Sequence, residues 1–177
     1  MLFTWIAQNI RYDCDKFRHP AKVKFKGDSK EAVANEKEKW QADQIRQTLR
    51  RKKGVCEDYS RLYKAMCDSV GLEAVVIEGT ARSFYKPFRN LPNKANHAWN
   101  AVKIGGQWRL LDVTWAAGYV DEDVTKFTEE FQPGYFLAPP AWFVQEHFPT
   151  DEKWQLLDTA VTREAFPEQV LAHFGQV

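Results

Sequence analysis

His97-Ala-Trp-Asn-Ala-Val-Lys-Ile-Gly-Gly-Gln-Trp-Arg-Leu-Leu-Asp112 is the stretch that decides the fold. Gly105-Gly106 between alternating apolar residues signals a tight β-hairpin. With those two glycines as the loop, Ile104 faces Gln107, Trp99 faces Asp112 and His97 faces Thr114. Opposed residues project from one side of a sheet, and so do residues two apart along a strand. His97 and Asp112 then become diagonal neighbours on one face, within reach of a hydrogen bond. A carboxylate that orients an imidazole is two thirds of a nucleophilic triad.

The nucleophile candidate lies upstream, in Arg51-Lys-Lys-Gly54-Val-Cys56-Glu-Asp-Tyr-Ser60. From Cys56 to Val70, apolar or aromatic residues recur at 59, 62, 63, 66, 67 and 70, the spacing of one helix face, and Gly71 supplies a stop. Gly54 interrupts the preceding basic segment, so Cys56 falls at the start of the new helix. Unpaired N–H groups and the positive end of the helix dipole favour a negative group there. Glu57 and Asp58 in the same turn oppose it, which leaves a protonated His97 as the decisive partner. The plainer alternative for Cys56 is a small buried hydrophobe.

Together these residues resemble a known family. Gly-Val-Cys-Glu-Asp-Tyr-Ser with its amphipathic helix, His-Ala-Trp-Asn-Ala-Val, and Trp-Arg-Leu-Leu-Asp-Val-Thr-Trp resemble the transglutaminase-like superfamily of cysteine enzymes. The later run from Tyr135-Phe-Leu-Ala-Pro-Pro to Glu-His147-Phe-Pro, continuing to Leu157, resembles its kyphoscoliosis-peptidase-like branch and the bacterial relatives of that branch. The resemblance covers about residues 3–158. It implies Cys56 as nucleophile, His97 as general base and acid, and Asp112 as orienting carboxylate. Asp58 stands where many relatives are expected to carry Gly, a difference placed at the groove. Papain-like and caspase-like arrangements fit worse: His follows Cys by 41 residues, and the papain signature around the Cys is absent.

The chemistry this implies is attack of Cys56 on a carboxamide or peptide carbon, with His97 protonating the leaving amine. Water or a second amine resolves the thioester, which separates a peptidase or amidase from a protein-crosslinking transferase. A non-catalytic interaction module keeping the fold is the third possibility. An oxyanion hole needs the Cys56 N–H and a second donor, for which Tyr12 and Gln47 are the upstream candidates. Tyr12 is therefore placed with the substrate-binding residues. Trp99 and Trp115 flank the triad and either line its cleft or pack the hairpin.

Composition agrees with one globular α+β domain over residues 1–177, in which the nucleophile helix packs on an antiparallel sheet as in papain- and transglutaminase-like cores. The chain is 44% hydrophobic and 14% aromatic, enough for one sizeable core. Its net +1 charge is uneven, with 16 Lys/Arg against 9 Asp/Glu in residues 1–64 and 9 against 15 in residues 65–177. No nucleic-acid motif accompanies the basic half, so a solvated helix and loop is the reading and no nucleic acid is expected. Cys14, Cys56 and Cys67 form no disulfide framework, although a Cys14–Cys67 bridge stays open. No CxxC or HExxH occurs, and His19, His97, His147 and His173 lack ligand spacing, so neither metal nor other cofactor is expected. No run approaches a membrane span. The expected partner is a protein or peptide substrate. The resemblance adds an exported or surface-located bacterial protein, with further β-domains beyond a chain that starts abruptly in a helix.

Along the chain, the pattern predicts a helix over 3–10, irregular polar chain over 13–30, and a charged helix over 30–52, in one or two pieces. The Cys56 helix, a strand over 72–81 and a Pro/Asn-rich loop over 84–96 that walls the cleft come next. An acidic loop around Asp121–Asp123, a strand over 134–138, a Pro-started helix over 139–147 and a last segment near Pro167 complete the reading.

Overall fold

The computed structural model describes residues 1–82 and 92–166. Most of the 84–96 loop and the Pro167 segment lie outside the described residues. The hairpin anchors the rest. Gly105 and Gly106 both have positive φ (59° and 81°), which a two-residue loop of this hand requires and glycine adopts without strain. They join β4 (His97–Ile104) to β5 (Gln107–Leu111), with Ile104 opposite Gln107 as expected. The ladder ends at Asn100–Leu111, so the predicted Thr114–His97 pairing does not form. Instead Asp112 turns out of the sheet, donates its N–H to the Tyr135 carbonyl (3.0 Å) and caps α5 (Val113–Ala117).

The four-stranded antiparallel sheet runs β5-β4-β3-β8, with β3 at Ala74–Ala81 and β8 at His147–Pro149. Helix α4 (Cys56–Ser69) packs on β4 and β3. Its face of Tyr59, Leu62, Tyr63 and Cys67 is buried against Val102 and Leu111 of the sheet and Phe3 and Ile6 of α1 (Leu2–Asn9). Each such large apolar side chain contributes about 1.5–3 kcal/mol. Two polar clamps fix the helix. The Tyr59 hydroxyl donates to the Ile10 carbonyl (2.5 Å), and Asn100 Nδ2 donates to the Ser60 and Val75 carbonyls (3.0 Å each). Ile77, Trp99, Ala101, Leu110, Ala138 and Phe143 form a second apolar cluster.

Several elements depart from the sequence pattern. Inside the stretch expected to be irregular, Asp13 caps a short helix α2 (Cys14–Arg18) by accepting the Lys16 N–H at 3.1 Å. The charged helix α3 (Lys30–Arg51) is unbroken; Ser29 caps its start and Lys52, at φ 54°, ends it. Two short strands, β1 (Arg11–Tyr12) and β2 (Lys53–Gly54), pair in parallel beside the start of α4. Another pair, β6 (Gly118–Val120) and β7 (Phe127–Glu129), flanks the acidic loop, which Asp121 closes by accepting from Thr125 and Lys126. The predicted strand over 134–138 is instead a 3-10 turn, Pro133–Tyr135, and a lone bridge from Leu110 to Ala138. The predicted helix over 139–147 shrinks to α6 (Pro140–Phe143), because His147 is drawn into β8 against Ala81. Cys14, Cys56 and Cys67 are all free thiols, so Cys14 and Cys67 do not pair.

Candidate active site

Cys56 is the first residue of α4 and is half-buried. Gly54 sits two residues before it because the chain approaches the helix too closely for a side chain: a Cβ there would lie 2.6 Å from that of Asp58. Asp58 is itself only 5% exposed and lines no groove. Its carboxylate accepts the Val55 N–H at 2.8 Å, capping the helix. Lys16 Nζ meets both Asp58 oxygens (2.9 and 2.8 Å) and also Gln44 Oε1 (3.1 Å). Glu57 pairs with Arg61 at 2.7 Å. Both carboxylates that the sequence set against a negative Cys56 are thus balanced by cations, and α2 and α3 are tied to the start of α4.

His97 opens β4, and its Nε2 lies 2.6 Å from Asp112 Oδ2. The predicted diagonal contact therefore forms, though Asp112 reaches it from a helix cap rather than from a strand. Asp112 Oδ1 accepts the Thr114 and Trp115 N–H groups at 2.8 and 3.0 Å. Burial opposes the imidazolium of His97, but the charge and hydrogen bond of Asp112 outweigh it and the Cys56 thiol adds to them, pushing the pKa up to about 10. Burial also opposes the charge on Asp112; His97 and His147 overcome that and hold its carboxyl well below the usual range. With Nε2 occupied by Asp112, Nδ1 is the ring nitrogen left for Cys56.

His147 is the member that sequence spacing missed. Its Nε2 lies 2.9 Å from the same Asp112 Oδ2, with both side chains fully buried. Burial pushes its pKa down, against the pull of Asp112. The ring stacks on Phe143 (centroids 4.1 Å apart) and lies 4.5 Å from Trp115 and 5.0 Å from Trp99. The signal available in the sequence was the Pro-rich run ending in Glu-His147-Phe-Pro; the strand that delivers His147 was concealed by a helix-like pattern.

His97, Asp112 and His147 offer donor types that divalent metals take, and their ligand atoms lie within 4.8 Å of one another. Tetrahedral coordination at about 2.0–2.1 Å from each donor spreads ligands to about 3.3 Å apart. The 2.6 and 2.9 Å separations are those of hydrogen bonds. The donors fit shared protons better than a metal ion.

The other predicted residues divide. Trp115, on α5, is half-buried with its ring 5.4 Å from that of His97. Trp99 is 1% exposed and packs inside the second apolar cluster, so it backs the site and does not line a cleft. Tyr12 is half-buried on β1 opposite Gly54. Its hydroxyl pKa is raised far above the ordinary value, first by burial and then by Cys56. Gln47 donates instead to Asp43 on its own helix at 2.5 Å.

A family model described as the transglutaminase-like superfamily matches residues 1–113, which carry Cys56, His97 and Asp112. The chain belongs to that superfamily. It is similar to kyphoscoliosis peptidase of Mus musculus and of Homo sapiens, each 34% identical over 157 residues, covering 88% of this chain and 21% of the relative. Hillarin of Drosophila melanogaster is 32% identical over 124 residues, covering 62% of this chain and 15% of that protein. The chain thus spans about a fifth of the length of the first two relatives, which are larger proteins with room for additional domains. A solved structure of a proposed cysteine protease from Cytophaga hutchinsonii superposes with a TM-score of 0.39 at 22% identity, covering 64% of this chain and 29% of that one. Among the described residues, no helix is long and apolar enough to cross a membrane.

Proposed function

We propose that this domain cleaves amide or peptide bonds by thiol-dependent acyl chemistry, with Cys56 as nucleophile, His97 as base and acid, and Asp112 as the orienting carboxylate. The observation that carries the reading is the buried 2.6 Å contact of His97 with Asp112, on an imidazole that also feels the Cys56 thiol. Because His97 stays protonated up to about pH 10, Cys56 faces a cation throughout the neutral range. With that proton already on His97, the Cys56 sulfur reacts as the thiolate of the pair and forms its bond to the substrate carbonyl carbon. Collapse of the tetrahedral adduct breaks the C–N bond, and the same proton leaves with the amine. Water, deprotonated by the now neutral His97, then attacks the thioester; the C–S bond breaks, releasing the acid and restoring the sulfur–imidazolium pair.

The Cys56 N–H at the start of α4 supplies one oxyanion donor, worth roughly 10²–10³ in rate. The Tyr12 hydroxyl, which keeps its proton well above neutral pH, is the candidate for the second. Trp115 covers one side of the imidazole and is the candidate wall of the cleft. The substrate class is a protein or peptide, as the name of the 34% identical peptidase suggests. Transfer of the acyl group to an amine follows the same first half-reaction.

Iodoacetamide alkylation of the purified protein from pH 4 to 9, located by mass spectrometry, tests the reading. Fast reaction at Cys56 well below the ordinary thiol pKa of about 8.5, lost in His97→Ala, is expected. Reaction no faster than that of a free thiol would leave the interaction-module alternative in its place. Mass spectrometry of a casein digest incubated with lysine methyl ester then separates hydrolysis, which leaves new carboxyl groups, from transfer, which leaves the added amine bound to the acyl group.

A further inference from the structure

Beside the residues assigned to that chemistry stands a buried imidazole with no step in it. His147 shares Asp112 Oδ2 with His97, at 2.9 against 2.6 Å. A carboxylate offers about four lone-pair directions. On Asp112 all four are taken, Oδ1 by two backbone N–H groups and Oδ2 by two imidazoles. Both rings must therefore present an Nε2–H to the same oxygen.

They cannot both be cations at low cost, since their centroids are 5.7 Å apart around one negative charge. The surroundings differ in a way that decides between them. His147 is 1% exposed, enclosed by Phe143, Trp115 and Trp99. Its Nδ1 makes no well-formed hydrogen bond among the described residues, so an imidazolium proton there would have only a poorly placed backbone carbonyl to meet. The Phe143 carbonyl acts on the ring weakly, and the neighbouring Glu146 carboxyl is turned to Tyr135, whose hydroxyl donates to it at 3.1 Å. His97, by contrast, retains Nδ1 for the Cys56 thiol.

We propose that His147 is a positioning residue: its uncharged ring donates Nε2–H to Asp112 Oδ2, keeping the carboxylate ionised and aimed so that the positive charge of the pair resides on His97. The proposal rests on the Cys56–His97–Asp112 reading for its consequence in the reaction, but not for its placement of the protons.

The test uses the whole chain with two substitutions. His147→Phe fills the aromatic enclosure without a donor, whereas the Gln side chain in His147→Gln returns an N–H near the Nε2 position. The alkylation rate of Cys56 at pH 6.5 should fall about 10- to 100-fold in His147→Phe, the worth of a hydrogen bond to a charged group, and stay within about threefold of wild type in His147→Gln. A Phe variant as reactive as wild type overturns the proposal, and so does a Gln variant as slow as Phe, which would mark packing as the cause. Imidazole ¹⁵N NMR of the unmodified protein from pH 6 to 9 needs no variant to fold. His147 protonated only on Nε2 beside a doubly protonated His97 supports the assignment; a doubly protonated His147 overturns it. This second measurement also separates the two ideas. If wild-type Cys56 proves an ordinary thiol, the triad fails, while the NMR still decides where the protons sit.

Discussion

Asp112→Asn is the most informative single change, because the side-chain amide is nearly isosteric yet cannot reproduce the pattern of donors around it. All four partners of the carboxylate are donors: the Thr114 and Trp115 N–H groups on Oδ1 and two imidazole Nε2–H groups on Oδ2. An amide has one oxygen. If that oxygen serves the helix cap, its NH2 confronts two imidazole N–H groups; if it serves the imidazoles, the NH2 confronts two backbone N–H groups. His97 can escape only by moving its proton from Nε2 to Nδ1, which points an N–H at Cys56 and removes the base. The drop of the His97 pKa from about 10 toward the ordinary 6.5 corresponds to about 5 kcal/mol. Breaking a buried charged pair typically costs about 3–5 kcal/mol. At roughly 2–4 °C per kcal/mol for a domain of this size, the melting temperature at pH 6 should fall by about 6–20 °C. The sign of the pH dependence is fixed. A raised imidazole pKa contributes stability that is fully present below about pH 6.5 and lost as pH rises through about 10. The gap between wild type and variant should therefore be widest near pH 6 and narrow toward pH 10.5. Calorimetry across that range, with Cys56 alkylation alongside, reads both effects. A variant melting within 2 °C of wild type at pH 6, with an unchanged alkylation profile, would refute the arrangement of charge derived above.

Three further outcomes follow from other parts of the structure. A Cβ on Gly79 would meet the Phe148 carbonyl oxygen, the Trp99 ring at 2.5 Å and Pro149 Cα at 2.8 Å, so Gly79→Ala should cost at least about 1–3 kcal/mol in a chemical-denaturation titration; it should also slow Cys56 alkylation, because Gly79 pairs with both His97 and Pro149. Burial, and then the nearby Asp112 charge, push the Glu146 carboxyl up to about 7 against the donor Tyr135 and the Arg82 cation. The fold then loses up to about 3 kcal/mol as pH rises from 4.5 to 7, so Glu146→Gln should raise the melting temperature at pH 8 and leave it nearly unchanged at pH 4.5. Lys16→Met leaves the buried Asp58 carboxylate without its cation; a loss of about 1–3 kcal/mol with slower Cys56 alkylation is expected, and an unaltered alkylation rate would mean the start of α4 does not depend on this ion pair.

How far the sequence could be read depends on the range of the interactions. The Gly105-Gly106 hairpin was legible because two adjacent residues dictate its loop, and the register followed as far as Leu111. The α4 face was legible because helical spacing is local; Tyr59, Leu62, Tyr63 and Cys67 are all buried. The ladder beyond Leu111 was not, because Asp112 exchanges strand pairing for two backbone N–H groups of its own helix, a competition the alternation pattern does not register. His147 was misplaced for the opposite reason. Pro139-Pro140 starts a helix, but pairing with Ala81, far away in sequence, ends it early and turns the imidazole inward. Asp58 was assigned to a groove because its cation, Lys16, lies 42 residues away on a helix that the local polar composition concealed.

Asp112 carries two duties at once, and this shapes how the site is bound to the fold. One oxygen ends β5 by capping α5, and the other holds the imidazoles. The cap requires Asp112 N–H on Tyr135, and Tyr135 in turn packs against Trp115 and donates to Glu146, the residue before His147. The carboxylate, its second imidazole and the helix that presents Trp115 therefore close a loop of contacts through Tyr135. The aim of the carboxylate toward His97 is in this sense a property of the packed segment beyond residue 113, where the superfamily match ends. Tyr135→Phe separates the two contributions. It keeps the ring against Trp115 and deletes only the hydroxyl, so stability should fall by about 0.5–1.5 kcal/mol while Cys56 alkylation stays near wild type. A large loss of alkylation in that variant would show that the aim of Asp112 depends on the Tyr135–Glu146 hydrogen bond and not on packing alone.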